Sequence, residues 1–342
     1  RHLLPYLKHL HDEGVLGPDG PIDCDLDFNT YGFAAFVEEI LKKISTREDA
    51  FGDALAEDIV RAAEKWGRAE QDLESGLLQY PYWGLPDHGY PPAISLEWGY
   101  GTILGDRDIN EHDFNILYWM PTITKLTKQE PFLPAEEVAR IFTDKMIPFQ
   151  GDRLMVDYSD ANMYSEHMAK TVAWHRYYTR FWKQSVLYCD FLFPDFLNPS
   201  REDKEGMVGT AEPKFLNAVT GKDLDFAEGM EKGAKIWNLD NAIWALQGRH
   251  RNMVNFSDYI YNEPLGAQAY MPGIQDGKWE YIGVKKRKID KAKFEEWKTR
   301  YYALEDWDSA SGWPTRRRLD SLGLSQVANE LEKNGRMGRQ RA

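Results

Sequence analysis

The 342-residue sequence is 42% hydrophobic and 28% charged, an ordinary globular composition with length for about two domains, each able to bury its own core. A net charge of −13 and a pI near 5.2 argue against nucleic acid or an anionic membrane surface as a partner. No apolar run nears the roughly 20 residues of a membrane span, and two cysteines are too few for a disulfide framework, which fits a reducing cytoplasm. The chain opens Arg1-His2-Leu3-Leu4-Pro5 with no secretory leader and no initiator methionine, which suggests a fragment or a processed chain.

Helical spacing dominates the first 75 residues. Phe33, Val37, Ile40, Leu41 and Ile44 form one apolar stripe. Ser45 and Glu48 then read as a capping box for a second helix, with Phe51, Leu55, Ile59, Ala62 and Trp66 as its buried stripe and Gly67 as its stop. From Gly76 to Gly105 prolines and glycines exclude regular helix, although large aromatics (Trp83, Tyr90, Trp98, Tyr100) persist. The spacing predicts a long, ordered, aromatic-rich loop segment over 76–115, with a helical domain at 1–78 and a second at 79–342. Helices follow at Ala135 to Ile147 and at Ser165 to about Leu192, where Thr171, His175, Tyr178, Trp182, Val186 and Cys189 share a face. Asp225 and Glu228 cap a further helix bearing Met230, Gly233 and Trp237 on one side. Asp276-Gly277 reads as a hairpin turn, and Phe294, Trp297, Tyr301 and Leu304 mark the last clear helix before a basic, frayed tail. The expected class is mainly α, with at most one small β-hairpin.

Several chemistries are absent from the pattern: no phosphate-binding glycine loop, no His-Glu-x-x-His zinc motif and no Gly-x-Ser-x-Gly elbow. Two basic clusters, Lys285-Lys286-Arg287-Lys288 and Arg316-Arg317-Arg318, are either solvated faces or docking spots for a phosphate-bearing ligand or acidic partner. The 12 tryptophans serve cores or a dry aromatic-walled pocket. Cys24 stands between Asp23 and Asp25, with Asp27 beyond. The carboxylates raise its thiol pKa and make it a poor nucleophile unless a cation such as a metal ion offsets them, and the same carboxylates can accept hydrogen bonds from a heterocycle. Cys189 is a small hydrophobe or a metal ligand. His112 sits among Asp106, Asp108, Glu111 and Asp113, a setting that suits proton delivery near neutrality. His88 and Glu97 share the irregular segment, where a buried Glu97 would hold its proton.

The run FLNAVTGKDLDFAEGMEKGAKIWNLDNAIWALQGRHR from Phe215 to Arg251, Glu263-Pro264-Leu265, and TRYYALEDWDSASGWPTRRRLDSLGL to Leu324 closely resemble the tungsten aldehyde:ferredoxin oxidoreductase family. DLDFNTYGFAAFVEEI is similar to the family's GLDTISTGNTIAFAMEL, with Asp27 and Gly32 in register. The resemblance implies two helical domains of that type, a tungsten bis-pterin, and a [4Fe-4S] cluster. The family's two D-x-x-G-L-[CD] copies hold the pterins. Ile22 to Asp27 corresponds to the first copy, retaining Asp27 and adding Cys24 as an extra thiolate for tungsten. Gln184 to Cys189 corresponds to the second, with Gln184 and Leu187 toward the pterin and Cys189 as the fourth cluster ligand.

The branch that it most resembles is the tungsten subunit of class II benzoyl-CoA reductase. The implied activity is reduction of the aromatic ring of benzoyl-CoA to a cyclic dienoyl-CoA in anaerobic aromatic degradation, with aldehyde oxidation through ferredoxin as the alternative. A cofactor-free structural or binding subunit is a third reading. The implied partners are an aromatic acyl-CoA, an iron–sulfur electron-transfer subunit or ferredoxin, and an N-terminal remainder of the same chain, since the family's other three cluster cysteines are not in these residues. Asp23 and Asp27 fall to the pterin, and His112, His88 and Glu97 to proton delivery.

Overall fold

The computed structural model describes residues 3–75, 77–78, 93, 96–105, 133–185, 196–198, 200–206, 211–256, 258–262 and 270–340. The described chain is mainly α, with one two-stranded antiparallel ribbon. It divides into two compact units, Arg1–Gly89 with Ser257–Glu263, and Tyr90–Phe256 with Pro264–Ala342. No helix among the described residues is long and apolar enough to cross a membrane.

The first unit contains α1 (Leu3–Asp12), α2 (Ala34–Thr46), α3 (Ala50–Glu57), α4 (Ile59–Lys65) and α5 (Ala69–Glu74). Its core joins Tyr6, Leu7 and Leu10 to Phe36, Ile40, Phe51 and Leu55. Beneath this core the Tyr6 hydroxyl donates to the buried Asp72 carboxylate at 2.7 Å, and Arg68 holds the same carboxylate at 3.0 and 2.9 Å. The buried stripe of α2 differs from the expected one. Phe36, Ile40 and Lys43 point inward, while Phe33 is 68% and Leu41 59% exposed. The sequence carries two overlapping apolar stripes on this helix. The inward one includes Lys43, whose ammonium is fixed 2.5 Å from Asp25 and 2.7 Å from Asp49.

The expected capping box at Ser45 is also replaced. Ser45 and Thr46 still belong to α2, their hydroxyls bonding back to the Lys42 carbonyl, and Asp49 caps α3 by accepting from Gly52 N. The second helix is broken in two at Asp58, which has φ 129° and caps α4 by accepting from the Val60 and Arg61 amides.

The second unit is built around α8. In chain order its helices are α6 (Leu96–Leu104), α7 (Ala135–Met146), α8 (Glu166–Tyr178), α9 (Ala211–Thr220), α10 (Phe226–Leu246), α11 (Lys291–Leu304), α12 (Arg316–Ser321) and α13 (Ser325–Lys333). Ser165 caps α8, and from Met168 to Tyr178 nearly every residue is buried because α6, α10 and α11 pack around it. The regular helix stops at Tyr178 and continues as a π turn over Thr179–Lys183. The predicted continuation to Leu192 lies outside the described residues.

The α10 capping box is present as expected, Glu228 N donating to Asp225 and Asp225 N to Glu228, both at 2.8 Å. Gly229 and Gly233 lie one turn apart on α10. A side chain at Gly229 would overlap Trp182 and one at Gly233 the Tyr177 carbonyl, so the pair sets how closely α10 meets the end of α8 and the π turn. The hairpin forms as β1 (Tyr270–Gln275) and β2 (Lys278–Gly283), with Asp276 and Gly277 both at positive φ.

Three expectations change here. Residues 96–104 form α6 despite Gly99 and Gly101, because the helix is buried on every side and tertiary packing outweighs glycine's low propensity. Two short helices, α12 and α13, follow the helix read as the last clear one. The tail is tied down as far as Gly338, which bridges to Thr315 and donates to the Pro314 carbonyl at 3.1 Å. The arginines of the two basic clusters have intramolecular partners. Arg316 pairs with Glu332, Arg317 with Asp306, Arg318 with Glu305 and Arg287 with Asp160.

Candidate functional site

The acidic segment around Cys24 is extended from Ile22 to Asp27. It is anchored at one end by the Leu16–Ile22 bridge and at the other by Asp27, which caps the 3-10 turn Phe28–Thr30 through Asn29 N at 3.0 Å. Extended backbone alternates its faces. Ile22, Cys24 and Leu26 are therefore buried, and Asp23, Asp25 and Asp27 face out. Asp25 is taken up by Lys43 and Oδ1 of Asp27 by Asn29, which leaves Asp23 and Oδ2 of Asp27 as the acceptors of this edge without a partner among the described residues. Cys24 lies on the opposite face, 4% exposed, within the apolar core of the first unit. Burial, with Asp25 adding to it, pushes its thiol up to about 11, so it is protonated at neutrality.

In the second unit Glu97 lies on α6 with no exposure at all. One turn on, the guanidinium of Arg176 occupies the space a side chain at Gly101 would need, a Cβ there lying 2.6 Å from Arg176 Nε. Positions i and i+4 share a helix face, so α6 presents Glu97 on the side that receives the fully buried Arg176. Arg176 Nη2 is 2.8 Å from His175 Nδ1. A guanidinium only donates, so Nδ1 accepts and the His175 ring carries its proton on Nε2. Gln184 is exposed at the end of the π turn. His88, His112, Leu187 and Cys189 lie outside the described residues. Among the described residues no group of three or more His, Cys, Asp or Glu is arranged to hold a metal ion.

Two features escaped the sequence reading. Tyr178 donates to Glu212 at 2.6 Å, and burial pushes the Glu212 carboxyl up to about 7 although the hydroxyl pulls the other way. The sequence carried no signal for this pair, since the two residues are 34 positions apart and Glu212 has no patterned neighbours. The second is a cavity of about 840 Å³ bounded by Ile147–Gln150, the Trp174–Tyr177 face of α8, the first turns of α10, and Arg318–Leu322. At its base Tyr177 donates to Glu305 Oε1 at 2.8 Å, and Arg318 Nη2 donates to the Tyr177 hydroxyl at 2.9 Å and to Glu305 Oε2 at 3.1 Å. Burial, with the Glu305 charge adding to it, raises the Tyr177 hydroxyl well above its ordinary range.

The family model for aldehyde ferredoxin oxidoreductase, domains 2 and 3, matches residues 7–324. Among solved structures the fold is similar to a chain described as the active site complex BamBC of benzoyl coenzyme A reductase in complex with 1,5-dienoyl-CoA. The TM-score is 0.53 at 18% identity, with 97% of this chain and 44% of that one covered. The present chain thus spans less than half the length of that relative, and the likeness is one of fold. The chain belongs to the aldehyde ferredoxin oxidoreductase family.

Proposed function

We propose that this member of the family provides the helical part of a tungsten bis-pterin, iron–sulfur oxidoreductase that reduces the ring of an aromatic acyl-CoA to a cyclic dienoyl-CoA. The observation carrying this reading is the family match itself, which runs through both segments that resemble the pterin-holding motifs, Ile22 to Asp27 and Gln184 to Cys189. The related structure contains a dienoyl-CoA, which favours ring reduction over aldehyde oxidation. The family's description favours aldehyde oxidation with ferredoxin as acceptor, and that is the second reading.

The residues suit the pterin better than the metal. Asp23 and Asp27 offer outward carboxylate oxygens that can accept hydrogen bonds from a heterocycle's amino groups, and Gln184 offers an exposed amide. Cys24 is the tungsten ligand proposed in this edge. Because its thiol faces the core, ligation requires the segment to turn Sγ toward the face of Asp23 and Asp27. When bound, the tungsten pterin supplies low-potential electrons. Cys189, Leu187, His112 and His88 keep the roles that the resemblance implies, as cluster ligand, pterin contact and proton donors. Glu97 is the buried carboxyl proposed for proton supply, and dense aromatic packing about α8 excludes water from that region.

The test is tungsten and iron analysis of the full-length protein prepared without oxygen, followed by assays with benzoyl-CoA and with simple aldehydes. Dienoyl-CoA formation supports the proposal, and turnover of aldehydes alone selects the second reading. Protein free of both metals would leave only a structural or binding role. Asp23→Ala should lower tungsten content with little effect on stability, since the Asp23 carboxylate has no ion partner among the described residues.

A further inference from the structure

The two basic clusters of this acidic chain end differently in the fold. Arg316, Arg317 and Arg318 are each engaged, by Glu332, Asp306 and Glu305. At the other cluster, residues 285–293 carry six cations, Lys285, Lys286, Arg287, Lys288, Lys291 and Lys293, against the single carboxylate of Asp290. Lys285, Lys286, Lys288 and Lys293 are exposed, and none of these four pairs with a carboxylate among the described residues. Asp290 is occupied as the cap of α11, accepting from Lys293 N at 3.0 Å.

The corner is fixed from beneath. Val284 and Ile289 are buried, and Arg287 N closes a turn onto the Val284 carbonyl at 3.0 Å. Arg287 is buried as well, its Nη2 donating to the Tyr158 carbonyl at 2.8 Å and pairing with Asp160 at 2.7 Å. Asp290 N donates to the Tyr164 hydroxyl at 2.8 Å. The lysines between these anchors stand outward on a held surface, against local preference. Lys286 has φ 68°, a left-handed turn position that glycine or asparagine usually fills. Lys291 and Lys293 lie in the first turn of α11, where the helix dipole disfavours cations. A merely solvated face has no need of charge gathered against these costs.

The exposed donors are ammonium groups on flexible stems, point charges that attract without demanding one geometry. The guanidinium of the corner, which could fork onto a phosphate, is turned inward. Such a surface suits the spread carboxylates of an acidic protein better than a nucleotide. With a net charge of −13 the chain as a whole repels such a partner, so this corner also fixes its orientation.

We propose that residues 285–293 dock an acidic electron-carrying protein, its carboxylates meeting Lys285, Lys286, Lys288 and Lys293. That the partner carries electrons rests on the oxidoreductase reading above. That it is acidic, and that it docks here, rests on the corner alone.

The test measures binding of an acidic [4Fe-4S] ferredoxin to the full-length protein by calorimetry, at about 20 mM and about 300 mM salt. Saturable binding that weakens at least about tenfold at the higher salt is expected. The double variant Lys285→Glu/Lys286→Glu should weaken it about tenfold or more at low salt, with the thermal melt unchanged. Lys222→Glu, the same charge change at an exposed lysine between α9 and α10, should alter it by less than about threefold. The proposal is overturned by the absence of saturable binding at low salt, by indifference to the double variant, or by an equal loss per charge in Lys222→Glu. Displacement of the ferredoxin by equimolar adenosine 3′,5′-bisphosphate would overturn the protein assignment in favour of a phosphate ligand. Lysine-dependent binding by protein that holds neither tungsten nor iron would support the docking while removing the oxidoreductase reading. Ring reduction driven by a small dye, without ferredoxin binding, would sink the docking alone.

Discussion

Tyr178 on α8 donates a 2.6 Å hydrogen bond to Glu212 on α9, and both side chains are buried. Burial raises the Glu212 carboxyl from 4.5 to about 7, so the folded protein keeps a proton that the unfolded chain releases. This contribution is full below pH 4.5 and is lost as the pH rises toward about 7, a change of roughly 3 kcal/mol. Glu212→Gln should remove that slope. Denaturation of the wild type and the variant at about pH 5 and about pH 7.5 checks it, and parallel pH dependences would refute the assignment.

Gly233→Ala should lower stability by about 2–3 kcal/mol, because the new methyl meets the backbone carbonyl of Tyr177, which cannot move without shifting α8. Lys232→Ala, the exposed neighbour on α10, should stay within about 0.5 kcal/mol. Thermal melts of the pair separate close helix approach from general sensitivity of α10.

Glu305 has no exposed surface, and Arg318 is its salt-bridge partner. Arg318→Met should cost about 3 kcal/mol by leaving a buried carboxylate without its cation, and the double variant Arg318→Met/Glu305→Gln should recover more than half of the loss. Additive losses in the double-mutant cycle would mean that the pair is not coupled.

Cys24 should resist alkylation in the native protein at about pH 8, since its thiol ionises only near 11, and should react once the chain is unfolded. Mass spectrometry of the peptide containing Cys24 reads this directly. Rapid native labelling would place the thiol on an open face. A substitution at the same position tests ligation, because Cys24→Ala with unchanged tungsten would remove its proposed role.

Asp27→Ala should cost about 1 kcal/mol through loss of the cap on Phe28–Thr30, whereas Asp27→Asn, which keeps an acceptor oxygen, should retain most of that stability. If Asp27→Asn keeps stability but loses tungsten content, the carboxylate itself is what the cofactor requires. Retention of both would leave Asp27 with a structural role alone.

The sequence by itself determined what is local. The Asp225–Glu228 capping box, the Asp276-Gly277 turn, the end of α7 at Pro148 and the mainly helical class each depend on residues a few positions apart, and they formed as read. Family membership was legible too, because the Phe215–Arg251 run is a specific string and the family match spans it. Tertiary structure decided which of two apolar stripes on α2 is buried, through Lys43 and its pairs with Asp25 and Asp49. It also made a helix of 96–104, where propensity argued against one, because burial on all sides outweighs two glycines. Among the site residues the period of two put Cys24 inward and Asp23 and Asp27 outward, whereas a list of neighbours had placed them together. The Tyr178–Glu212 pair and the Tyr177–Glu305–Arg318 network were invisible in the sequence, for their members are as far as 34 to 141 positions apart and meet only when the helices pack.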